Sequence, residues 1–321
     1  MMLKVIDLFA GIGGIRLGFE QVFPEVKCVM TSEIDKFAVQ TYQANYDNEP
    51  VMGDITKIEI DDVPEHDILL AGFPCQPFSQ AGLKKGFLDT RGTLFFDIER
   101  ILLGRRPKAF LLENVKQLKG HDQGRTLFTI IKHLEAAGYR VSYQVLAAKD
   151  FGVPQNRERI YIVGFLDHSL PFSFPKPIGV PTKVGNILDC IVDEKYTISD
   201  RLWAGHQRRK NENKLKGKGF GFGLVSAESA YTNTMSARYY KDGSEILIAQ
   251  EHGKNPRKLT PREAARLQGF PDLFKIPVSD VQAYKQFGNS VCVPVIRAIA
   301  KQMLKAFNQE HEVFQLVQEV A

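Results

Sequence analysis

Cys75 lies in the stretch "AGFPCQPFSQAGLKKGF" (71–87), where an apolar run ends in a thiol set between two prolines. Pro74 and Pro77 remove two backbone donors and resist helix on either side, so the thiol is expected on a loop at a strand end. Glu113 of "LLENV" closes a second apolar run. A thiol and a carboxyl carried to one sheet edge suit covalent catalysis, whereas either alone reads as a packing cysteine or a capping glutamate. Arg157 and Arg159 of "PQNRERIY" precede another strand pattern, where they can orient an anionic or carbonyl-bearing substrate or form surface ion pairs. "DLFAGIGGIRLGF" places Gly11, Gly13 and Gly14 after the first strand, and Glu33 follows twenty residues beyond Gly13. That spacing fits a nucleoside-containing cofactor whose ribose hydroxyls Glu33 would bind, and it leaves dinucleotides and S-adenosylmethionine both open. Arg16 stands where the third glycine of the dinucleotide fingerprint would be, and its bulk is expected to hinder helix-to-strand packing. Asp54 of "GDI" is read either as an acceptor for an adenine amino group or as a helix cap.

These residues need a scaffold that brings strand ends together. Over the first 165 residues, "KVIDLFAG", "KCVMTSE", "HDILLAG", "KAFLLENV", "YQVLAAKDFG" and "RIYIVGF" read as strands. Helical patterns lie between them near 14–23, 35–46, 93–104 and 126–138, and a further strand signal precedes "GDI". Strand and helix alternating in this way predict an α/β fold, with a mostly parallel, doubly wound sheet whose ligands bind beyond the carboxyl ends of its strands. "LPFSFPKPIGVP" (170–181) reads as a linker. After it the rhythm stops until a helix near 291–307, and the region between is expected to form a smaller, loop-rich domain. The tail "EHEVFQLVQEVA" spaces Val313, Leu316, Val317 and Val320 as a helix packing on its own domain.

The 321 residues are 44% hydrophobic and 25% charged, an ordinary globular balance with length for more than one core. No apolar run is long enough to span a bilayer. The opening "MMLKVIDLFAG" runs straight into a strand, so the default expectation is a cytoplasmic protein without a membrane partner. Four scattered cysteines, Cys28, Cys75, Cys190 and Cys292, form no C-x-x-C pair, which argues for free thiols and no metal site. The net charge is +5, yet 201–218 alone hold seven Lys or Arg against one Glu, a local +6 that leaves −1 elsewhere. Such a run fits either a polyanion partner or a solvated helix face.

In this order, "FAGIGG", "GFPCQPFS", "ENV", "QNRERIYIVGF", "RKLTPREAARLQGFP" and "AYKQFGNSV" resemble the motifs of the bacterial DNA (cytosine-5) methyltransferases and cover most of the chain outside 178–255. The resemblance implies a class I S-adenosylmethionine-dependent methyltransferase fold. It divides the chain into a catalytic and cofactor-binding domain (1–177), a target-recognition domain (178–283) and a returning C-terminal segment (284–321). It implies a sequence-specific enzyme of restriction-modification or epigenetic type, acting as a monomer on double-stranded DNA at the nucleoid. Cys75 would be the nucleophile, Glu113 the partner of cytosine N3, and Arg159, supported by Arg157, a substrate-orienting group. S-adenosylmethionine would be held by Phe9, Gly11, Gly13, Gly14, Glu33, Ile34, Asp54, Ile55, Phe73, Pro74, Leu94, Asn289 and Ser290.

Carbon 6 of a stacked cytosine is out of reach, so the base must flip, and the segment 79–93 is suited to closing over it. Ser79, Lys84, Lys85 and Arg91 of that segment are candidate DNA contacts. Ala81 stands where some family members carry a polar side chain beside the flipped base. "YTNTM" (231–235) resembles the family's Thr-x-Thr-Leu recognition element, and 219–248 look closest to Dcm-type enzymes of CC…GG sites. Thr234, Arg238 and Lys241 are accordingly expected at DNA, as guanine readers or phosphate contacts. The competing readings are a tRNA methyltransferase on the same scaffold, a dinucleotide-dependent oxidoreductase, and a DNA-binding protein without turnover.

Overall fold

The computed structural model describes residues 2–23, 25–74, 94–251 and 253–320, with side chains through Asn308. Six strands form the main sheet: β1 (Leu3–Leu8), β2 (Val26–Ser32), β3 (Ile68–Gly72), β4 (Ala109–Val115), β5 (Arg140–Ala147) and β6 (Glu158–Phe165). Their order is β2-β1-β3-β4-β6-β5. The first four run parallel, while β6 is antiparallel to both neighbours. The link from β5 to β6 is too short for a crossover helix, so the chain simply turns back. The expected strand over 143–152 therefore ends at Ala147, and Ala148–Phe151 form a 3₁₀ turn. The strand signal before Asp54 shrinks to one parallel bridge, Ser32↔Met52. Pro50 upstream has no N–H to extend that ladder.

The central strands are buried on both faces, as their near-continuous apolar sequences require. On one face Ile68, Leu70, Leu111 and Val163 pack with Ile15 and Phe19 of α1 (Gly14–Glu20) and with Ile296, Ile299 and Met303 of the last helix. On the other, Leu69, Ala71, Leu112 and Ile162 meet Ile98 and Ile101 of α3 (Phe95–Arg105) and Ile130 and Leu134 of α4 (Arg125–Ala136). α2 (Lys36–Asn45) follows β2, capped by Asp35. The last helix spans Val293–Val320, longer than expected, and runs through the tail, whose side-chain packing lies outside the described residues. It comes so close to α1 that a Cβ on Gly18 would lie 2.6 Å from Ile296. The first half of the expected linker also packs on this core, through Leu170, Phe172 and Phe174.

Between 184 and 293 a third core gathers Met235, Tyr239, Ile246, Leu259, Phe270 and Phe287, joined by Ile12 and Ala38 from the sheet side. Its elements are short: α5 (Asp200–Leu215), β7 (Leu224–Val225), β8 (Leu247–Ile248), α6 (Pro261–Arg266) and α7 (Asp280–Asn289). With α7 before it, the last helix is α8. Arg257 and Glu263 form a buried bidentate pair, with N–O distances of 2.7 and 2.8 Å, and Glu263 completes a capping box with Thr260. No described helix is long and apolar enough to cross a membrane.

Candidate active site

A cleft of about 600 Å3 opens at the carboxyl ends of β1, β2, β3 and β4. At its β1 end the chain passes through Phe9 (φ 54) and Gly11 (φ 56), both in the left-handed region that favours glycine. The Phe9 strain is of the kind that persists where a site over-determines the backbone. Glu33 secures this turn: one carboxylate oxygen accepts from Gly11 N–H, and the other from Ile34 and Asp35 N–H, each at 2.8 Å. Ile34 is 76% exposed and forms an apolar wall. Chain 51–53 runs beside β2 through Met52 N–H to Thr31 O and Ser32 Oγ to Gly53 O, which brings Asp54 alongside Glu33. Asp54 caps the turn Ile55–Lys57 while facing the cleft, so both readings of it hold geometrically. The Thr56 hydroxyl and N–H hold its carboxyl below the usual carboxylate range.

Phe9, Gly11, Gly14, Glu33, Ile34, Asp54, Ile55, Phe73, Pro74, Leu94, Asn289 and Ser290 all line this cleft. Gly13 does not. Its carbonyl accepts from Tyr46 Oη at 2.8 Å, and a Cβ there would lie 2.4 Å from the Tyr46 ring. The guanidinium of Arg16 covers the other side of that ring, 4.1 Å from its centroid, and bonds Glu49, Glu20 and Tyr42. The expectation that Arg16 obstructs packing is therefore corrected: its side chain turns onto α2 and braces the glycine loop from behind.

At the other end, Glu113 and Arg159 come from the paired strands β4 and β6, with Glu113 opposite Tyr161 and Val115 opposite Arg159. Paired residues share a face, so the two long side chains meet diagonally, Arg159 Nε to Glu113 Oε1 at 3.1 Å. Gly72, beside Glu113 in β3, leaves room for the carboxyl: a Cβ there would stand 3.7 Å from Oε2. Burial raises the Glu113 carboxyl above the usual range, while Arg159 and then Arg157 pull it partly back. Arg159 borders the cleft and is half-buried, which sets aside the surface-pair reading.

Arg157 is not at the cleft. Its buried guanidinium donates to the carbonyls of Met235, Gly288 and Ser290 at 3.0, 3.1 and 2.6 Å. Burial and then the Arg159 cation push it down to about 9, which leaves it charged at neutral pH. Arg157 is thus a tie between β6, the "YTNTM" segment, the last turn of α7 and Ser290 just after it, and it does not line the cleft.

Two residues carry more than their sequence context announced. Asn114 donates from Nδ2 to Phe73 O at 3.0 Å and accepts from Val115 N–H, fixing the chain that leads into Cys75. Gln155, fully buried, accepts from Met235 N–H at 2.9 Å and donates to Leu267 O at 2.9 Å. Each lies in a motif quoted above, the only signal that could have found it. Thr234 Oγ1 donates to Asn156 O at 2.6 Å, while Arg238 and Lys241 are exposed on the turn that follows. Cys75, Ser79, Ala81, Lys84, Lys85 and Arg91, with the whole 79–93 segment, lie outside the described residues. Among the described residues no cluster of His, Cys, Asp or Glu has metal-binding proximity, and Cys28, Cys190 and Cys292 are free thiols.

A mostly parallel sheet with a cleft at its strand ends, beside a buried carboxyl–guanidinium pair, is the fold of the class I methyltransferases. The chain matches the model of the C-5 cytosine-specific DNA methylases over residues 3–305 and belongs to that family. It is a DNA (cytosine-5) methyltransferase. It is 74% identical over 307 residues to the Type II methyltransferase M.NlaX of Neisseria lactamica, covering 96% of this chain and 98% of that one. It is 65% identical over 310 residues to the Type II methyltransferase M1.ScrFI of Lactococcus lactis subsp. cremoris, covering 95% and 79%. A Dnmt2 methyltransferase of S. pombe shares the fold at TM-score 0.79 and 21% identity, covering 95% of this chain and 99% of that one.

Proposed function

We propose that this enzyme methylates C5 of a flipped-out cytosine in one short duplex site, as the modification partner of a restriction system. In this reading 1–177 bind the cofactor and catalyse, 178–283 recognise the site, and 284–321 return to close the catalytic core. The relatives' Type II names support the restriction pairing, and the resemblance of 219–248 to Dcm-type enzymes supports a site of the CC…GG kind. The observation that carries the reading is the pairing of Glu113 with Arg159, facing the same cleft as Gly11, Glu33 and Asp54.

The cleft fits S-adenosylmethionine. Glu33 has carboxylate capacity left for ribose hydroxyls after its backbone bonds, Ile34 offers an apolar face for an adenine, and Asp54 can accept from its amino group. A side chain at Gly11 would project into space where nothing lies within 4 Å, so the bare backbone leaves the ligand its room. The cofactor supplies an electrophilic methyl group on sulfonium sulfur.

Cytosine C5 is too weakly nucleophilic on its own. Cys75 thiolate adds to C6, forming an S–C6 bond and pushing the ring electrons toward N3, where Glu113 delivers a proton. Burial suits Glu113 to this step by keeping its acid form available at higher pH than an ordinary carboxyl. Arg159 would orient the base while holding Glu113 in place, and Arg157 fixes the strand that carries Arg159. The resulting enamine would carry electron density to C5, which takes the methyl group as the bond from that carbon to sulfonium sulfur breaks and its electron pair stays on sulfur. Return of the N3 proton to Glu113 and loss of the C5 proton to solvent then restore the neutral ring and expel Cys75 as thiolate.

Incubation with S-adenosylmethionine and unmethylated genomic DNA, followed by bisulfite mapping, tests the proposal. The expected result is 5-methylcytosine at one short symmetric motif, abolished by Cys75→Ala. Methyl transfer to tRNA without transfer to duplex DNA would overturn it, and an active Cys75→Ala enzyme would overturn the covalent route.

A further inference from the structure

The chain's positive excess is concentrated on α5 and the turn after it, net +6 over 201–218 against +5 for the whole protein. Surface helices usually offset such charge with acids at i,i+4. Here only Arg208 has that kind of partner, Glu212 at 3.9 Å, and Arg209 reaches off the helix to Asp242 at 3.1 Å. Arg201, Lys210, Lys214, Lys216 and Lys218 are exposed and have no acidic partner among the described residues. Lysines at a helix C-terminus gain a little from the helix dipole, which favours Lys214 and Lys216 there but leaves both without an ion-pair partner among the described residues. It does not account for Arg201 at the opposite end, for Lys210 in the middle, or for Lys218 beyond the helix.

The helix is also pinned to the turn expected to meet bases. His206 is buried with Nε2 3.2 Å from Asp242 O, and Trp203 packs edge-on to Phe222 at 4.9 Å. Lys210 Nζ lies over the same Phe222 ring at 4.3 Å. Gly221 approaches so closely that a Cβ there would lie 2.5 Å from Lys210 Cβ. Asp242 therefore joins α5, through His206 and Arg209, to the turn bearing Arg238 and Lys241.

We propose that the C-terminal half of α5 and the turn through Lys218 form a phosphate-binding face, which grips the duplex backbone beside the bases addressed by the 236–243 turn. The inference rests on the DNA-facing reading of that turn. Flexible lysines act as point charges without base-edge geometry, so this face supplies sequence-independent, salt-sensitive affinity and not site choice.

The test is a triple variant, Lys214→Gln, Lys216→Gln and Lys218→Gln, in the full chain. Its binding to duplexes with and without the mapped site is followed across salt concentrations, beside a control with Lys27, Lys132 and Lys301 changed to Gln. Each lost phosphate contact lowers the slope of log affinity against log salt by about 0.9. The triple variant should therefore lose about 2.7 on both duplexes, and the control should keep the wild-type slope. An unchanged slope, an equal loss in the control, or a loss confined to the duplex carrying the site would overturn the proposal. Wild-type methyl transfer to DNA is measured in the same preparations. Its absence would count against the function proposed above, while the slopes still decide the role of the helix.

Discussion

The strand-end cleft and the region between 184 and 293, proposed above to bind the cofactor and to recognise the site, hold their polar groups in opposite ways. Around the cleft, position is set largely by neighbours in the chain and by adjoining strand ends: Glu33 binds the N–H groups of Ile34, Asp35 and Gly11, Asp54 binds Thr56, and the glycine turn follows directly from β1. Between 184 and 293 there are few ladders, and position is set by long-range polar ties. Gln155 reaches Leu267, Arg157 reaches Met235 and Gly288, and Arg257 grips Glu263. The first arrangement survives on secondary structure. The second depends on buried polar groups that must all be satisfied together, so it is less tolerant of a single loss.

Glu113 stands between the two, on a sheet strand yet dependent on Arg159, and its replacement should have the largest effect. Glu113→Gln is expected to lower kcat by about 10²–10⁴ while leaving S-adenosylmethionine binding near wild type by calorimetry. If Glu113 acts as an acid, the wild-type kcat falls as pH rises through its burial-raised pKa, and the variant loses that limb. A wild-type profile without the limb would remove the proton-delivery role.

The recognition region is tested by Glu263→Ala, which strands the Arg257 guanidinium in the core. Breaking such a pair should cost about 3–5 kcal/mol, read by denaturant unfolding, and DNA binding should fail before cofactor binding does. An equal loss of both would erase the contrast drawn here.

Asp7 sharpens the comparison from inside the sheet. It is fully buried under α1 with no hydrogen-bond partner for either oxygen, and burial pushes its carboxyl up to about 8 despite the pull of Arg16. The folded state therefore holds a proton that the unfolded chain releases above about pH 4, and stability falls as pH rises from there toward 8. Asp7→Asn should match the wild type near pH 4 and exceed it by on the order of 5 kcal/mol at pH 8. Melting curves that keep a constant offset across that range would refute the assignment.

The elements were legible where one residue's pattern suffices. β1, β3 and β4 read as buried parallel strands because both of their faces are apolar, and the strand-end positions of Glu33 and Glu113 followed. Met52 misled because one bridge and a strand look alike over three residues. Arg16 misled because a fingerprint states what a glycine permits and not where a longer side chain can turn. The sequence leaves Arg157 between orienting a substrate and surface pairing, and the resemblance makes it a support for Arg159; how it supports is invisible to spacing, because its three carbonyl partners come from segments 78 to 133 residues away.

By itself, then, the sequence determined the sheet, the glycine turn with its carboxylates, and the family. Local hydrogen bonds and two-faced burial act over a few residues and leave their pattern in the chain. Only the tertiary structure decided that Arg159 and not Arg157 meets Glu113, that Tyr46 and Arg16 brace the turn, and that α5 is locked to Asp242. Each of those depends on a close approach between distant segments, which packing geometry fixes and residue spacing does not encode.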